Sequence, residues 1–370
     1  MRRTILFSLA CFWMVLVRGN HDAAARPRHP APAPAPPTVE QGPRPKWALL
    51  IHGGAGDIDR SKMDPKLEAQ YRAALAGGLN RGAEILKAGG SARDAVEAVI
   101  RGFEEESLFN AGKGSVFTSS GKIELDAAFM DGGTLRAGAV AGLTRTKHPI
   151  SAARQLMEHS ANVMLIGPGA DAFAAAHGVE QADEAYFFTE RRWQALKAAL
   201  RAQGKSMPPR PDGVGPEPGP GALSELLPED HKYGTVGAVA LDELGHVSAV
   251  TSTGGTTAKP PGRVGDSPII GAGTYASDAS CAVSATGTGE YFIRLTAARD
   301  ICALVQYQHM PLQQAVDEVM RRVSALGGDG GVIAVTPDGQ VAWKFNTTGM
   351  YRGRLVEGGT PIVSIYNDEL

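Results

Sequence analysis

Apolar and polar positions along this chain change period several times, from continuous runs that suit buried strands to spacings that suit one face of a helix. Trp47 to Ile51 is an apolar run ending in His52-Gly53-Gly54-Ala55-Gly56, which predicts a buried strand that stops at the glycines. From Leu67 to Lys87 the apolar residues Tyr71, Leu75, Leu79, Ala83 and Leu86 recur at helical spacing, and Gly89-Gly90 ends the pattern. Ser91, with Asp94 three residues on, opens a second helix carrying Ala95 and Val99 on one face. Val163 to Ile166 predicts a short buried strand, with a helix over Ala170 to Ala176 behind it. Two hairpins follow: Val236 to Leu241 against Val247 to Thr251 across Asp242-Glu243-Leu244-Gly245, and Val332 to Val335 against Val341 to Phe345 across Pro337-Asp338-Gly339. Between them, Tyr291 to Gln306 and Leu312 to Leu326 predict amphipathic helices. Strand pairs grouped with helix pairs argue for an α+β fold of antiparallel sheets covered by helices, against repeated βαβ winding.

Composition narrows the class. The chain has 370 residues, 43% hydrophobic and 21% charged, with a net charge of -2, which suits one large or two small globular domains. Its basic residues are scattered, so no field exists to condense on phosphate and a nucleic-acid partner is excluded. The N-terminus departs from this average. Arg2-Arg3 precedes an apolar run from Ile5 to Val17, and Ala23-Ala24-Ala25 follows: the pattern of a signal peptide over 1–25, too short to span a membrane. The paired arginines also suit a twin-arginine route, and Ser8-Leu9-Ala10-Cys11 faintly matches a lipoprotein box, though Cys11 sits inside the apolar run. Residues 26–45 are Pro/Ala-rich, with Pro-Ala alternation at Pro30 to Pro37, and predict an extended tether. With Cys11 removed alongside the signal, Cys281 and Cys302 remain, and two cysteines predict buried free thiols ahead of a bridge.

The chemistry centres on Gly234-Thr235. The junction follows a Pro/Gly-rich stretch, with a flexible linker expected over about 200–230, and places a threonine at the head of an apolar strand. Cleavage there gives Thr235 a free α-amine, whose reference pKa of about 7.7 to 8.0 lets it act as base for its own hydroxyl. Glycine at 234 suits that cleavage by tolerating strained backbone angles and close approach. Thr253, in Thr251-Ser252-Thr253-Gly254-Gly255, ends the strand paired with the one Thr235 begins, so the hairpin brings the two hydroxyls together. Read alone, the same segment is a polar turn. Pro260, Pro261, Gly262, Gly265 and Pro268 hold Arg263 and Asp266 on a loop, where they match the carboxylate and ammonium of a free amino acid. Thr286-Gly287-Thr288-Gly289-Glu290 opens the helix beginning near Tyr291, so its backbone N–H groups point out of a helix N-terminus, where an oxyanion would be stabilised. It lacks the third glycine and the βαβ setting of a nicotinamide site.

These motifs, with Leu108-Phe109-Asn110-Ala111-Gly112, Glu124-Leu125-Asp126-Ala127 and Phe345-Asn346-Thr347, resemble the plant-type asparaginase and isoaspartyl peptidase family of N-terminal-nucleophile hydrolases, over Trp47 to Arg352. The resemblance implies a four-layer αββα sandwich and a precursor that cuts itself into an α subunit (46–234) and a β subunit (235–370). It implies an (αβ)2 assembly acting on L-asparagine and β-aspartyl dipeptides, with no organic cofactor. By the same resemblance Thr235 matches the nucleophile, Thr253 and Thr286 the threonines beside it, and Asn110 an asparagine that positions it. Arg263 matches the α-carboxylate clamp, Asp266 with the Gly289 carbonyl the ammonium site, and Thr286 with Gly287 the oxyanion region. A sodium ion on the backbone carbonyls of Phe103, Glu104, Glu106, Phe109, Ala111 and Lys113 is also implied. Glycosylasparaginase shares the fold, but has Asp where this chain has Gly234. An uncut periplasmic amino-acid-binding module would use Arg263 and Asp266 without chemistry, and would run as one band on a denaturing gel.

Overall fold

A computed structural model describes residues 45–219 and 234–369; the signal-like segment, all of the tether except Pro45, and 220–233 including Tyr233 lie outside them. The described strands are β1 Ala48–Gly56, β2 Leu125–Asp131, β3 Ala137–Leu143, β4 Met164–Ile166, β5 Val236–Leu241, β6 Val247–Thr253, β7 Thr274–Ala276, β8 Ala282–Gly287, β9 Gly330–Val335, β10 Val341–Phe345, β11 Gly349–Val356 and β12 Ile362–Tyr366. They form an eight-stranded sheet ordered β12-β11-β1-β5-β6-β2-β3-β4 and a four-stranded sheet ordered β10-β9-β8-β7. Every pairing is antiparallel except β3 with β4.

The helices are α1 Pro65–Lys87, α2 Ala92–Glu105, α3 Pro149–His159, α4 Gly167–Ala176, α5 Glu184–Phe187, α6 Glu190–Ala202, α7 Gly289–Leu295, α8 Ala297–Gln308 and α9 Leu312–Ala325. Asp64 caps α1 through two backbone N–H groups, and the Ser91 hydroxyl accepts from Asp94 N at 3.2 Å to cap α2. Strand alternation sorts side chains into three cores. Leu49 and Ile51 of β1 and Val236 and Ala238 of β5 pack with Leu75, Leu79, Val96 and Val99 of α1 and α2. Ala48, Leu50, Val239, Val247, Ala249, Ala282, Ile333 and Val335 come from both sheets and form a core between them. Val283, Ala285 and Val332 meet Ile301, Val316 and Val319 of α8 and α9. Each fully buried Leu, Ile or Val in these cores contributes about 1.5 to 3 kcal/mol by leaving water.

Several sequence expectations change. β1 does not stop at the glycines: it runs through them with a bulge between His52 and Gly54, where Gly54 takes φ 113°. The helix expected over Tyr291 to Gln306 is two, α7 and α8, broken at Thr296 (φ 48°, ψ 50°). The break arises because Ala298 N and Arg299 N donate to the Ala272 and Gly271 carbonyls instead of continuing the helix. The strand near Val163 is an exposed sheet edge, with Val163, Met164 and Ile166 between 42% and 67% accessible. Cys281 and Cys302 are not free thiols. The start of β8 lies against α8 with the Cα atoms 5.3 Å apart, within bridging reach, and the two form a disulfide. The linker is partly anchored: α6 extends to Ala202, and the Arg210 guanidinium donates to the Glu190 carboxylate while sitting 4.6 Å over the Phe188 ring.

Candidate active site

Alternation along four strands gathers hydroxyls and one imidazole at one end of the core between the sheets. Val239, Val247, Ala249, Leu50 and Ala282 face that core, so Thr235 and Gly237 on the β5 side, Thr251 and Thr253 on β6, His52 on β1, and Ser284 and Thr286 on β8 share the same face. Thr235, Thr253, Thr251, His52, Ser284 and Thr286 are all buried. A polar cluster inside an apolar core costs stability unless each group is bonded, so the bonds define what it is built to do.

The Thr235 and Thr253 hydroxyls are 2.9 Å apart, and Gly255 N donates to Thr253 Oγ1 at 3.0 Å. The Gly234 carbonyl accepts from Asn110 N at 3.1 Å, so a backbone donor already points at the bond preceding Thr235. Asn110 is fixed on every side: its amide donates to the Gly255 carbonyl at 2.6 Å, its side-chain oxygen accepts from Val116 N at 2.9 Å, and its carbonyl accepts from Gly254 N at 3.0 Å. Gly234 does not lie in the left-handed region, so backbone strain is not why glycine stands there. Close approach is: a Cβ on Gly234 would come within 2.8 Å of Asn110 Cβ.

Arg263 and Asp266 lie on the loop between β6 and β7. The Arg263 guanidinium donates through Nε and Nη2 to the two Glu290 oxygens, both at 3.0 Å, so its fork is aligned for a carboxylate and holds an exposed one. Asp266 is buried beside Gly289, whose Cβ would come within 2.7 Å of Asp266 Oδ1. Burial pushes its carboxyl up to about 7, against the opposing pull of backbone N–H groups and Arg263. Among the described residues neither Asp266 Oδ2 nor Thr286 Oγ1 has a hydrogen-bond partner, although both are buried. Thr286 and Gly287 are not in the first turn of the helix: they end β8, paired with Gly331 and Gly330 of β9, and α7 begins at Gly289.

Sequence reasoning missed His52. It is fully buried, with Nδ1 3.0 Å from the Thr235 carbonyl oxygen and Nε2 3.0 Å from Ser284 Oγ; burial holds its pKa down at about 3, so the ring is neutral. The signal was present, since His52 follows Leu50 on the inward face of a strand otherwise wholly apolar on that side. Glu104, expected only to lend a backbone carbonyl, lies in the last turn of α2. It is buried, accepts from the Ser252 hydroxyl at 2.7 Å and from Ile150 N at 3.0 Å, lies 3.4 Å from His148 Nδ1, and burial raises its pKa. Along the loop expected to hold an ion, Gly112 takes φ 52° against the Glu104 carbonyl, and a Cβ on Gly114 would strike the Phe109 and Ser107 carbonyls. Among the described residues no group of three or more His, Cys, Asp or Glu is set to hold a metal.

A family model described as Asparaginase matches residues 45–365. An isoaspartyl peptidase of Escherichia coli is 49% identical over 325 residues, covering 88% of this chain and 97% of its own. A probable isoaspartyl peptidase/L-asparaginase 2 of Arabidopsis thaliana is 42% identical, covering 86% and 99%. A plant-type L-asparaginase of Pyrococcus furiosus is 40% identical, covering 84% and 97%.

Proposed function

The chain belongs to the asparaginase family, and on that premise we propose that it is a threonine hydrolase, activated by cutting itself before Thr235, that releases L-aspartate from β-aspartyl dipeptides and L-asparagine. The observation that carries this reading is the pair of hydroxyls 2.9 Å apart beside a Gly234 carbonyl already bonded to Asn110 N. In the precursor the Thr235 hydroxyl adds to the Gly234 carbonyl carbon while Asn110 N–H takes the charge building on oxygen. The C–N bond then breaks as the hydroxyl proton passes to the departing Thr235 nitrogen, which becomes a free amine, and water opens the ester to free the Gly234 carboxylate. The released amine afterwards takes the hydroxyl proton as Thr235 attacks the side-chain carbonyl of the substrate. Ammonia or the peptide amine leaves, and water cleaves the acyl-enzyme.

Recognition follows from charge. The α-carboxylate displaces the Glu290 carboxylate from the Arg263 fork, and the α-ammonium meets Asp266 and the Gly289 carbonyl. The unpartnered Thr286 hydroxyl, with Gly287 N–H, takes the substrate oxyanion. A Cβ on Gly234 has no room beside Asn110, which favours this reading over glycosylasparaginase. Sheet-to-sheet packing with helices on both outer faces supports the αββα sandwich. The glycines at 112 and 114 keep space open beside the Glu104 and Phe109 carbonyls, which suits a sodium ion between the end of α2 and Lys113, although the Phe103, Glu106 and Ala111 carbonyls each already accept one backbone N–H. The buried disulfide supports export into an oxidising compartment, as the segment 1–25 suggests. The exposed apolar edge at Met164–Ile166 suits burial in an (αβ)2 assembly. The test is a denaturing gel beside an asparagine assay: wild type should run as two fragments and turn over, and Thr235→Ala should stay whole and inert. A whole wild-type chain that hydrolyses asparagine would overturn the mechanism, since an acylated Thr235 nitrogen has no basicity.

A further inference from the structure

His52 touches neither the hydroxyl nor the amine of Thr235; it touches the carbonyl oxygen of the same residue. A carbonyl only accepts, so at 3.0 Å Nδ1 must carry the proton. The ring is neutral, so Nε2 is left as an acceptor, and the partner 3.0 Å away, Ser284 Oγ, must donate to it. That uses the only proton of Ser284. The contact at 2.7 Å between Ser284 Oγ and Thr251 Oγ1 is therefore a donation from Thr251, and Thr274 Oγ1 donates to Thr251 Oγ1 at 2.6 Å. The buried hydroxyls then form one directed chain, from Thr274 through Thr251, Ser284 and His52 to the Thr235 carbonyl, which leaves the Gly273 carbonyl, 3.2 Å from Thr251 Oγ1, and the Ser267 carbonyl, 3.1 Å from Thr274 Oγ1, without those protons. Gly237, opposite His52 in the β1–β5 register, is the residue whose missing side chain leaves room for it: a Cβ there would strike both Ser284 Oγ and His52 Nε2.

We propose that His52 is a positioning residue for Thr235, whose ring fixes the nucleophile's carbonyl and thereby sets the direction in which its hydroxyl and freed amine point. The inference rests on the reading of Thr235 as nucleophile. After cleavage Thr235 becomes a chain end and loses the peptide bond on its amine side, so rotation about its Cα–C bond is restrained only by β5 and by what holds its carbonyl. The carbonyl is not altered by the cut, so the same contact serves precursor and cut enzyme. A neutral donor suits the place. An imidazolium beside the amine would disfavour the ammonium that amine must become on taking the hydroxyl proton.

The test compares His52→Asn, whose Nδ2–H falls near the position of Nδ1, with His52→Phe, which keeps a ring but no donor, and with Ser284→Ala, which frees the ring. Thr235→Ala is the control, and turnover of L-asparagine is measured on the cut fraction. His52→Phe should lose about 100-fold in kcat, the scale of a nucleophile misplaced by about 1 Å, with KM within about twofold because Arg263 and Asp266 are untouched. His52→Asn should recover most of that loss, and Ser284→Ala should fall between them. A purely structural role predicts kcat losses that track the loss of stability in urea melts, with KM changing alongside. Wild-type kcat in His52→Phe, or equal losses in Phe and Asn, overturns the proposal. If His52→Phe does not fold, wild-type kcat in Ser284→Ala overturns it, and a kcat loss at unchanged KM there, with Asn active, supports it. Turnover by Thr235→Ala would sink the nucleophile reading and this proposal with it, whereas an inert Thr235→Ala beside a fully active His52→Phe sinks this proposal alone.

Discussion

Replacing Gly234 by Ala separates the two reactions assigned to Thr235. The added Cβ would lie 2.8 Å from Asn110 Cβ and 3.3 Å from Asn110 N, so one of the two segments must move by several tenths of an ångström. Asn110 cannot be the one to yield. It is buried, and its amide, its side-chain oxygen and its carbonyl are all engaged with Gly255, Val116 and Gly254. Gly234 shifts instead, and its carbonyl leaves the Asn110 N–H that it meets at 3.1 Å. Removing one donor from an oxyanion site costs about 2.7 to 4 kcal/mol, or about 10² to 10³ in rate. A displaced donor loses part of this, so self-cleavage of Gly234→Ala should slow about 100-fold. Once cut, residue 234 is the end of the other fragment and takes no part in turnover, so kcat and KM of the cut protein should match wild type. Time courses of fresh precursor on denaturing gels, with asparagine kinetics on the matured protein, measure both. Cleavage at the wild-type rate would remove Asn110 N–H from the reaction. Equal impairment of cleavage and turnover would point to a misfolded site.

Arg263→Lys keeps the charge but loses the two parallel donors that hold a carboxylate, a charge-assisted contribution of about 1.5 to 3 kcal/mol, so KM for L-asparagine should rise about 10- to 100-fold while self-cleavage proceeds normally; unchanged KM would take Arg263 out of recognition. Burial holds the Asp266 carboxyl at about 7, so the ligand-free site carries the proton below that pH and must release it to meet an ammonium. KM should therefore rise as pH falls through about 7, and a KM flat from pH 5.5 to 8.5 would refute the assignment. Stability runs the opposite way: the folded precursor keeps a proton that the unfolded chain gives up near 3.8, so stability should fall as pH rises from there to about 7. The Cys281–Cys302 bridge closes a span of 21 residues, which chain entropy converts to about 3 kcal/mol. Cys302→Ser should lose about that much in urea melts with KM unchanged, and a melt identical to wild type would show the bridge to be unformed.

The elements that sequence reasoning reached are those whose signal is local. The spacing Tyr71, Leu75, Leu79 predicts α1 because a helix must bury one stripe, and Ser91 with Asp94 predicts the start of α2 because four N–H groups there need acceptors. The β5–β6 hairpin follows from two apolar runs about a short polar turn, and it carries Thr253 to Thr235 without further information. What sequence reasoning did not reach depends on contacts distant in the chain. Thr296 breaks a helix because two carbonyls at 271 and 272 compete for its N–H groups. The disulfide depends on α8 crossing β8, which two cysteines 21 residues apart do not announce. His52 lies 183 residues from Thr235 and 232 from Ser284, so its role appears only when β1, β5 and β8 are stacked.

If Thr235 serves both reactions as proposed, something other than the nucleophile must tell its two substrates apart. The scissile bond of the precursor is held by the chain's own backbone: Asn110 N–H on the Gly234 carbonyl and β5 behind Thr235, with neither Arg263 nor Asp266 bonded to it. The free substrate has no chain to hold it and must be held by its charges, which is the work assigned to the Arg263 fork and the Asp266 carboxyl. In the proposed mechanism, departure of Gly234 after the cut would free the Thr235 amine and the Asn110 N–H together, so the second reaction would begin with the group it needs as base. It also follows that a substitution confined to the Arg263 and Asp266 loop can alter which amide is hydrolysed without altering whether the enzyme matures. A substitution at Thr253, whose hydroxyl meets Thr235 in both reactions, cannot make that separation.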